Sequence, residues 1–288
     1  MKYPWNDYSG RLSPLKLTVL VALFLPVGWT AIAFATNNLG ARPFNEAIHQ
    51  QGLWTIRLIL IALAITPLRT ILQWQRLILV RRMVGVGAFA YVTLHFCLYI
   101  ADQNFNLVTV ASEIARRIYL TIGFVALLGL ATLAATSTDR MVRRLGRKWQ
   151  SLHRLVYLIC LLGLIHYSMQ SKLEQWEPTI ADGIFVWLML YRLAAARFAV
   201  RGRLPLAWVA GIGAVATVLT GLGEAAYFNI AFHVDPLRVL SADFSLQTGV
   251  RPAVIVFAFS LIVLIAGAAG TRLAPPQKNR PGGRARFA

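Results

Sequence analysis

Apolar residues run in eight blocks near 15–35, 53–71, 83–101, 118–136, 152–169, 180–197, 205–223 and 252–270, separated by short polar or basic segments. Each block approaches the roughly 20 residues that cross a bilayer as an α-helix. Lipid offers the backbone no hydrogen-bond partner, so each block is expected to satisfy its own N–H and C=O groups as a helix. The pattern therefore predicts an all-α fold: a polytopic membrane helical bundle of about eight transmembrane helices. The second block is the least clean, because Arg57 lies about one turn inside its outer end and Pro67 near its inner end. The seventh has an open end that extends towards residue 232.

The basic residues test this segmentation independently, since Lys and Arg stay on the cytoplasmic side of translocated helices. With the N-terminus inside, the outer segments hold only Arg42, Arg57, Arg116, Arg117, Lys172, Arg238 and Arg251 of the 29 basic residues; the rest fall inside. Most of the 11 acids lie outside. A missed or invented helix would blur this asymmetry by swapping the side of every later loop. Both termini are accordingly expected in the cytoplasm.

Composition agrees: 57% of the chain is hydrophobic and 14% charged, where a soluble domain carries about 25% charged residues. The net charge of +18 would suggest nucleic acid in a soluble protein, but here it resides in short loops between spans, so no nucleic-acid partner is expected. The N-terminal basic flank and Ala33-Phe34-Ala35 mimic a secretory signal, but the Leu17–Ala35 run is long enough to be a retained first helix. Cys97 and Cys160 lie in apolar stretches outside any Cys-x-x-Cys pattern and are expected as buried small residues. Gly85-x-Gly87 and Gly211-x-Gly213 sit in membrane segments with no strand before them, which favours close helix packing over dinucleotide binding. The tail from Pro275, with three prolines, two further glycines and basic residues, is expected to be disordered.

Chemistry is expected at the histidines, because ionisable groups within a bilayer are costly. His95 falls about 12 residues into the third helix and His166 in the fifth; both helices run outward, so the two share a depth in the outer half. Two neutral imidazoles facing each other from separate helices supply the axial nitrogens of a six-coordinate haem iron, a site suited to electron transfer. His153 falls near the inner surface, and the position matching it on the third helix is Arg82. An inner haem on His153 would need an unusual partner or a single axial ligand. A 13-residue step also turns an ideal helix by about 220°, so His153 and His166 share a face only if the helix is locally distorted. Arg57, Arg116 and Arg117 lie at the outer level, placed either to pair with haem propionates or to anchor the interface. His49 and His233 are expected in outer loops.

Several segments carry a family resemblance. Arg81-Arg82-Met83-Val84-Gly85-Val86 leading to Ala90-Tyr91-Val92-Thr93-Leu94-His95, then Arg117-Ile118-Tyr119-Leu120-Thr121-Ile122-Gly123, Leu145-Gly146-Arg147-Lys148-Trp149-Gln150-Ser151-Leu152-His153, and Ile165-His166-Tyr167 resemble, in order and spacing, the MsrQ family. Ile48-His49-Gln50-Gln51-Gly52, Ile65-Thr66-Pro67-Leu68 and Thr136-Ser137-Thr138 also fit. This is the group of haem-binding membrane subunits of periplasmic methionine sulfoxide reductase systems, within the ferric reductase-like transmembrane proteins. The resemblance covers about residues 15–200 and implies a six-helix haem-binding domain there, after a short cytoplasmic N-terminus at 1–14. Residues 201–274 would then add two transmembrane helices, and 275–288 a basic cytoplasmic tail.

What the resemblance implies is a bacterial inner-membrane electron carrier with haem b, one or two per chain, on His95, His166 and His153. It implies an associated FMN, a quinone pool as electron source, and a periplasmic molybdenum-containing catalytic subunit that reduces methionine sulfoxide. Catalysis would reside on that partner. Two rivals stand beside this expectation: a transporter whose intramembrane histidines relay protons and whose Arg57 contacts an anion, and a membrane anchor with purely structural haem.

Overall fold

The computed structural model describes residues 9–172, 174–200, 202–243 and 249–273, with Tyr3, Trp5, Asn6 and Ser245. Among the described residues twelve α-helices follow in order: α1 (Pro14–Ala35), α2 (Pro43–Ile71), α3 (Ile78–Asp102), α4 (Leu107–Arg116), α5 (Ile118–Ala135), α6 (Asp139–Leu145), α7 (Arg147–His153), α8 (Val156–Ser171), α9 (Trp176–Phe198), α10 (Leu206–Phe232), α11 (Pro236–Asp243) and α12 (Pro252–Leu273). There is no β-strand among the described residues. Eight spans are long and apolar enough to cross a membrane: α1, α2, α3 with its leading 3₁₀ turn, α5, the α7–α8 pair, α9, α10 and α12. The expected disordered tail from Pro275 lies outside the described residues.

Two boundaries differ from the sequence expectation, and a third that it left open is now fixed. The second helix begins at Pro43, not near residue 53, so His49 stands in a helix and not in a loop. Polar residues break the apolar run there, but local signals favour a helix start: Pro43 opens it, Glu46 lies in its first turn, and Gln50 Nε2 donates to Glu46 Oε1 at 2.9 Å. The seventh span does continue to Phe232, where His233 ends it in a left-handed conformation (φ 56°). The fifth is broken at Arg154–Leu155 into α7 and α8.

Helix α2 is the centre of the bundle. More than half of its apolar window is buried, against a third or less for every other span. It packs on α3, α8, α9, α1 and α12, while α5 pairs with α8, and α10 and α12 close on each other and on α9. Large apolar side chains such as Phe24, Leu25, Ile32, Ile230 and Ile262 point outward. That is the arrangement lipid permits, because apolar burial drives little association there and close packing must do so. A Cβ at Gly87 would stand 2.9 Å from Leu23 and one at Gly213 2.8 Å from Ser260, whereas Gly85 and Gly211 face open space. One glycine of each pair is thus a packing residue. Cys160 is buried as expected; Cys97 is exposed on the outer surface of α3.

Pro26 lies inside α1 and cannot donate to the ladder. Beside it, the Tyr91 hydroxyl from α3 enters the backbone of α1, donating to Leu23 O at 2.7 Å and accepting from Val27 N–H at 3.2 Å. A side chain thereby satisfies groups that a helix-breaking residue has parted, as a nonpolar surrounding requires. This fixes α1 against the helix that carries His95.

Candidate functional site: a paired-histidine cavity

His95 stands one helical turn beyond Tyr91 on α3, and His166 projects from α8. Their ring centres are 6.3 Å apart with planes at 87°. His95 Nδ1 lies 2.8 Å from the Ile48 carbonyl of α2, and His166 Nδ1 lies 2.8 Å from the Tyr119 carbonyl of α5. A carbonyl only accepts, so each Nδ1 carries the hydrogen and donates it; in the neutral ring, Nε2 is then left with a free lone pair.

Each ring is also seated on a glycine one turn beyond its carbonyl partner. A Cβ at Gly52 would meet His95 Nδ1 at 3.0 Å, and one at Gly123 would meet His166 Nδ1 at 2.8 Å. Both carbonyl donees lie 47 residues before the histidine they hold. The α2–α3 and α5–α8 pairs therefore build their half-sites in the same way.

Between the half-sites lies a cavity walled by α2, α3, α5 and α8. Its depth is apolar, with Ile56, Ile59, Leu127, Leu130 and Ile159; its rim carries Asn45, His49, Tyr99, Asp102, Tyr119 and Gln170. Among the described residues, no group of three or more His, Cys, Asp or Glu side chains could hold a metal ion. A bare ion would want about four protein donors. Two imidazoles alone suit a metal whose in-plane positions a tetrapyrrole already fills. Metal–imidazole bonds of about 2 Å on either side of one ion put the two ring centres roughly 6 Å apart, which the observed spacing meets. The residues present therefore fit haem.

The remaining sequence candidates lie elsewhere. His153 ends α7 outside this cavity, stacked on Trp149 at 3.9 Å, with Nδ1 3.2 Å from the Trp149 carbonyl and Nε2 3.3 Å from Ser137 Oγ. The break after α7 supplies the local distortion its spacing called for, yet it does not bring His153 to His166. Arg82 pairs with Asp139 at 2.5 Å. Arg57 pairs with Glu177 at 3.2 Å and lies over Trp54. Arg116 ends α4 exposed, and Arg117 pairs with Glu113 and donates to the Tyr119 hydroxyl at 3.3 Å. None of the three arginines lines the cavity, although Arg57 and Arg117 touch its wall at one remove: Glu177 accepts from Tyr167, and Tyr119 lies on the rim. His233 is exposed at the end of α10.

Sequence reasoning missed His49, whose ring lies 6.2 Å from Tyr167 on the cavity wall, and both glycine seats. The equal spacing from Gly52 to His95 and from Gly123 to His166 is a trace of the seats in the sequence, but it gains meaning only once the helix partners are known.

Residues 51–164 match the model of the ferric reductase like transmembrane component family, a stretch that includes His95 and His153 and stops just short of His166. A protein-methionine-sulfoxide reductase heme-binding subunit MsrQ from Rhodospirillum rubrum is 42% identical over 69% of this chain and 95% of its own length. The proteins of the same name from Caulobacter vibrioides and Herminiimonas arsenicoxydans are 42% and 40% identical, each over 62% of this chain, and over 86% and 84% of their own lengths. No solved structure matches. With eight apolar spans and bacterial relatives of this kind, the protein is a multi-pass protein of the bacterial inner membrane. Sequence identity along nearly the whole length of such a relative establishes that the chain belongs to the MsrQ family of heme-binding membrane subunits.

Proposed function

We propose that the protein is the haem b-bearing electron-transfer subunit of a methionine sulfoxide reductase system, with His95 and His166 as the residues that would hold the haem. The observation that carries this is the pair of imidazoles whose Nδ1 atoms are tied to carbonyls and whose ring centres stand 6.3 Å apart across an apolar cavity. Haem bound there would supply a one-electron carrier, while the sulfoxide chemistry belongs to the catalytic partner. The chain's own residues do three things. The carbonyls of Ile48 and Tyr119 hold the ring tautomers, and hydrogen bonds of this kind raise ligand basicity. The glycines let the helices approach closely enough to position the rings. The isoleucines and leucines of the cavity exclude water.

With both termini in the cytoplasm, the histidine pair lies in the periplasmic half of the membrane, near a docked periplasmic partner. That partner is the molybdenum-dependent reductase, and the electrons come from the quinone pool or a reduced flavin such as FMN. Residues 15–200 form the haem-binding unit, and the helices of 201–274 brace it through α9 and α2. Arg57, through Glu177 and Tyr167, and Arg117, through Tyr119, stand at one remove from the cavity, while Arg116 ends α4 exposed. The proposal needs one haem. A second on His153 would require its Nε2 to exchange Ser137 for iron. The transporter alternative loses its free cation, because Arg57 is already paired with Glu177.

Purified protein should show a reduced b-type haem spectrum at about one haem per chain, and His95→Ala or His166→Ala should remove it while the protein stays folded. Folded, colourless wild-type protein, or double-alanine protein with an unchanged spectrum, would refute the assignment.

A further inference from the structure

The carbonyl end of α8, the helix that carries His166, is closed by residues from outside it. Lys172 follows α8 with a positive φ of 48° and turns the chain back, so that Gln175, only 4% exposed, lies against the helix it has just left. Gln175 Nε2 stands 2.9 Å from the Ser168 carbonyl, 2.8 Å from the Lys172 carbonyl and 3.0 Å from the Tyr227 hydroxyl. An amide nitrogen has two hydrogens for these three acceptors. Tyr227, on α10, resolves the competition, because its hydroxyl donates to the Lys172 carbonyl at 2.8 Å. One amide hydrogen is then free for Ser168 and the other for the hydroxyl oxygen, and all three acceptors are served.

The outer end of α8 needs such a closure. Helix ends leave carbonyls without intrahelical donors, and a nonpolar surrounding offers none in their place. Ser168 lies two residues beyond His166, so the group being capped belongs to the same turn as the imidazole. At its other end α8 is cut off from α7 by the break at Arg154–Leu155, and α7 cannot hold it straight. Gln175 comes from the turn between α8 and α9 and would move with it. Tyr227 stands 55 residues beyond Lys172 in the chain, on a helix packed against α9, α11 and α12, and it ties the turn to that group.

We infer that Tyr227 is a positioning residue for the haem site: through Gln175 and the end of α8 it holds His166 against the Tyr119 carbonyl and Gly123. The inference rests on the reading of His166 as a residue that would hold haem. Tyr227 does not line the cavity and acts only through α8. It gives the helices beyond residue 200 a part in the electron-transfer site, although they lie past the family-matched stretch 51–164. A looser α8 end lets His166 Nδ1 part from the Tyr119 carbonyl, and an imidazole without that bond is less basic. A less basic ligand favours ferrous over ferric iron, so the midpoint potential rises.

The test uses Tyr227→Phe in the purified full chain in detergent. The substitution keeps the ring, which packs beside Phe228 and Phe232, and removes only the hydroxyl. Amide hydrogen exchange at the end of α8, residues 167–172, should run about fivefold faster than in the wild type, the factor one net hydrogen bond is worth. Redox titration should show the haem midpoint potential shifted upward. Gln175→Leu should do both more strongly. Trp176→Phe cuts a different tie, from Trp176 Nε1 to the Val250 carbonyl at 2.9 Å, and should leave the potential as in the wild type. Thermal unfolding shows which variants are folded, and Tyr227→Phe carries the comparison if Gln175→Leu is not. A purely structural brace would move exchange without moving the potential, so an unchanged potential in folded, haem-bearing Tyr227→Phe protein would overturn the inference, as would unchanged exchange. Wild-type protein without haem would overturn the haem reading, and the positioning role with it, before any variant is compared.

Discussion

His166 rests against Gly123 so closely that a Cβ there would come within 2.8 Å of its Nδ1 and 2.9 Å of its Cε1. The corresponding contacts at Gly52 and His95 are 3.0 and 3.2 Å. Alanine at either position must displace the ring, the helix, or both, and with them the Nδ1 hydrogen bond. Gly123→Ala is expected to lower the haem-to-protein ratio, and Gly52→Ala to do so less. Pyridine haemochrome assay against protein concentration measures both; equal, full occupancy in both variants would contradict the role given to the glycines.

Tyr91→Phe should separate fold from site. Removing the hydroxyl leaves the Val27 N–H and Leu23 carbonyl unanswered beside Pro26, a loss of about 1–3 kcal/mol for a buried unsatisfied group. The histidine pair itself is untouched. Thermal unfolding in detergent should shift down while the haem spectrum of the folded protein stays as in the wild type.

Two ion-pair arginines should behave very differently. Arg57 and Glu177 keep side-chain exposures of 41% and 39%, so Arg57→Gln is expected to cost under about 1 kcal/mol. Arg251 bridges Glu224 and Asp243, whose side chains are only 4% and 3% exposed. Arg251→Ala strands two buried carboxylates and should cost about 3–5 kcal/mol. Denaturation of the two variants under the same conditions gives the order directly.

Membrane orientation is open to a labelling test. Val108 on α4 is 81% exposed, and Arg143 on α6 is exposed at the other end of the bundle. With Cys97 and Cys160 replaced by serine, Val108→Cys should react with an impermeant maleimide added to spheroplasts, and Arg143→Cys only after lysis. The reverse result would invert the assignment of both termini to the cytoplasm.

The eight spans were legible because lipid imposes a coarse rule that hydropathy reads well. The failures fall where polar residues face the interior. Asn45, Glu46, His49, Gln50 and Gln51 interrupt the apolar pattern, so the start of α2 read as a loop although these residues continue the helix. The short helix α4 is too brief and too polar to register as a span. At the site, His95 and His166 stood out as costly residues at matched depth. Their supports did not, because a backbone carbonyl carries no sequence signature and a glycine seat has meaning only once helix partners are known. His153 gave a similar signal from sequence, yet a break in the helix and a bond to Ser137 set it apart.

The shared construction of the two half-sites bears on how such a protein is assembled. Each two-helix unit, α2 with α3 and α5 with α8, brings one carbonyl, one glycine and one imidazole, and neither is complete alone. Chain continuity between them, through α4, sets their spacing but supplies neither imidazole. The bundle's centre is thus a dimer of like modules within one polypeptide, and two separately expressed fragments cut within α4 should be able to find each other around a shared ligand.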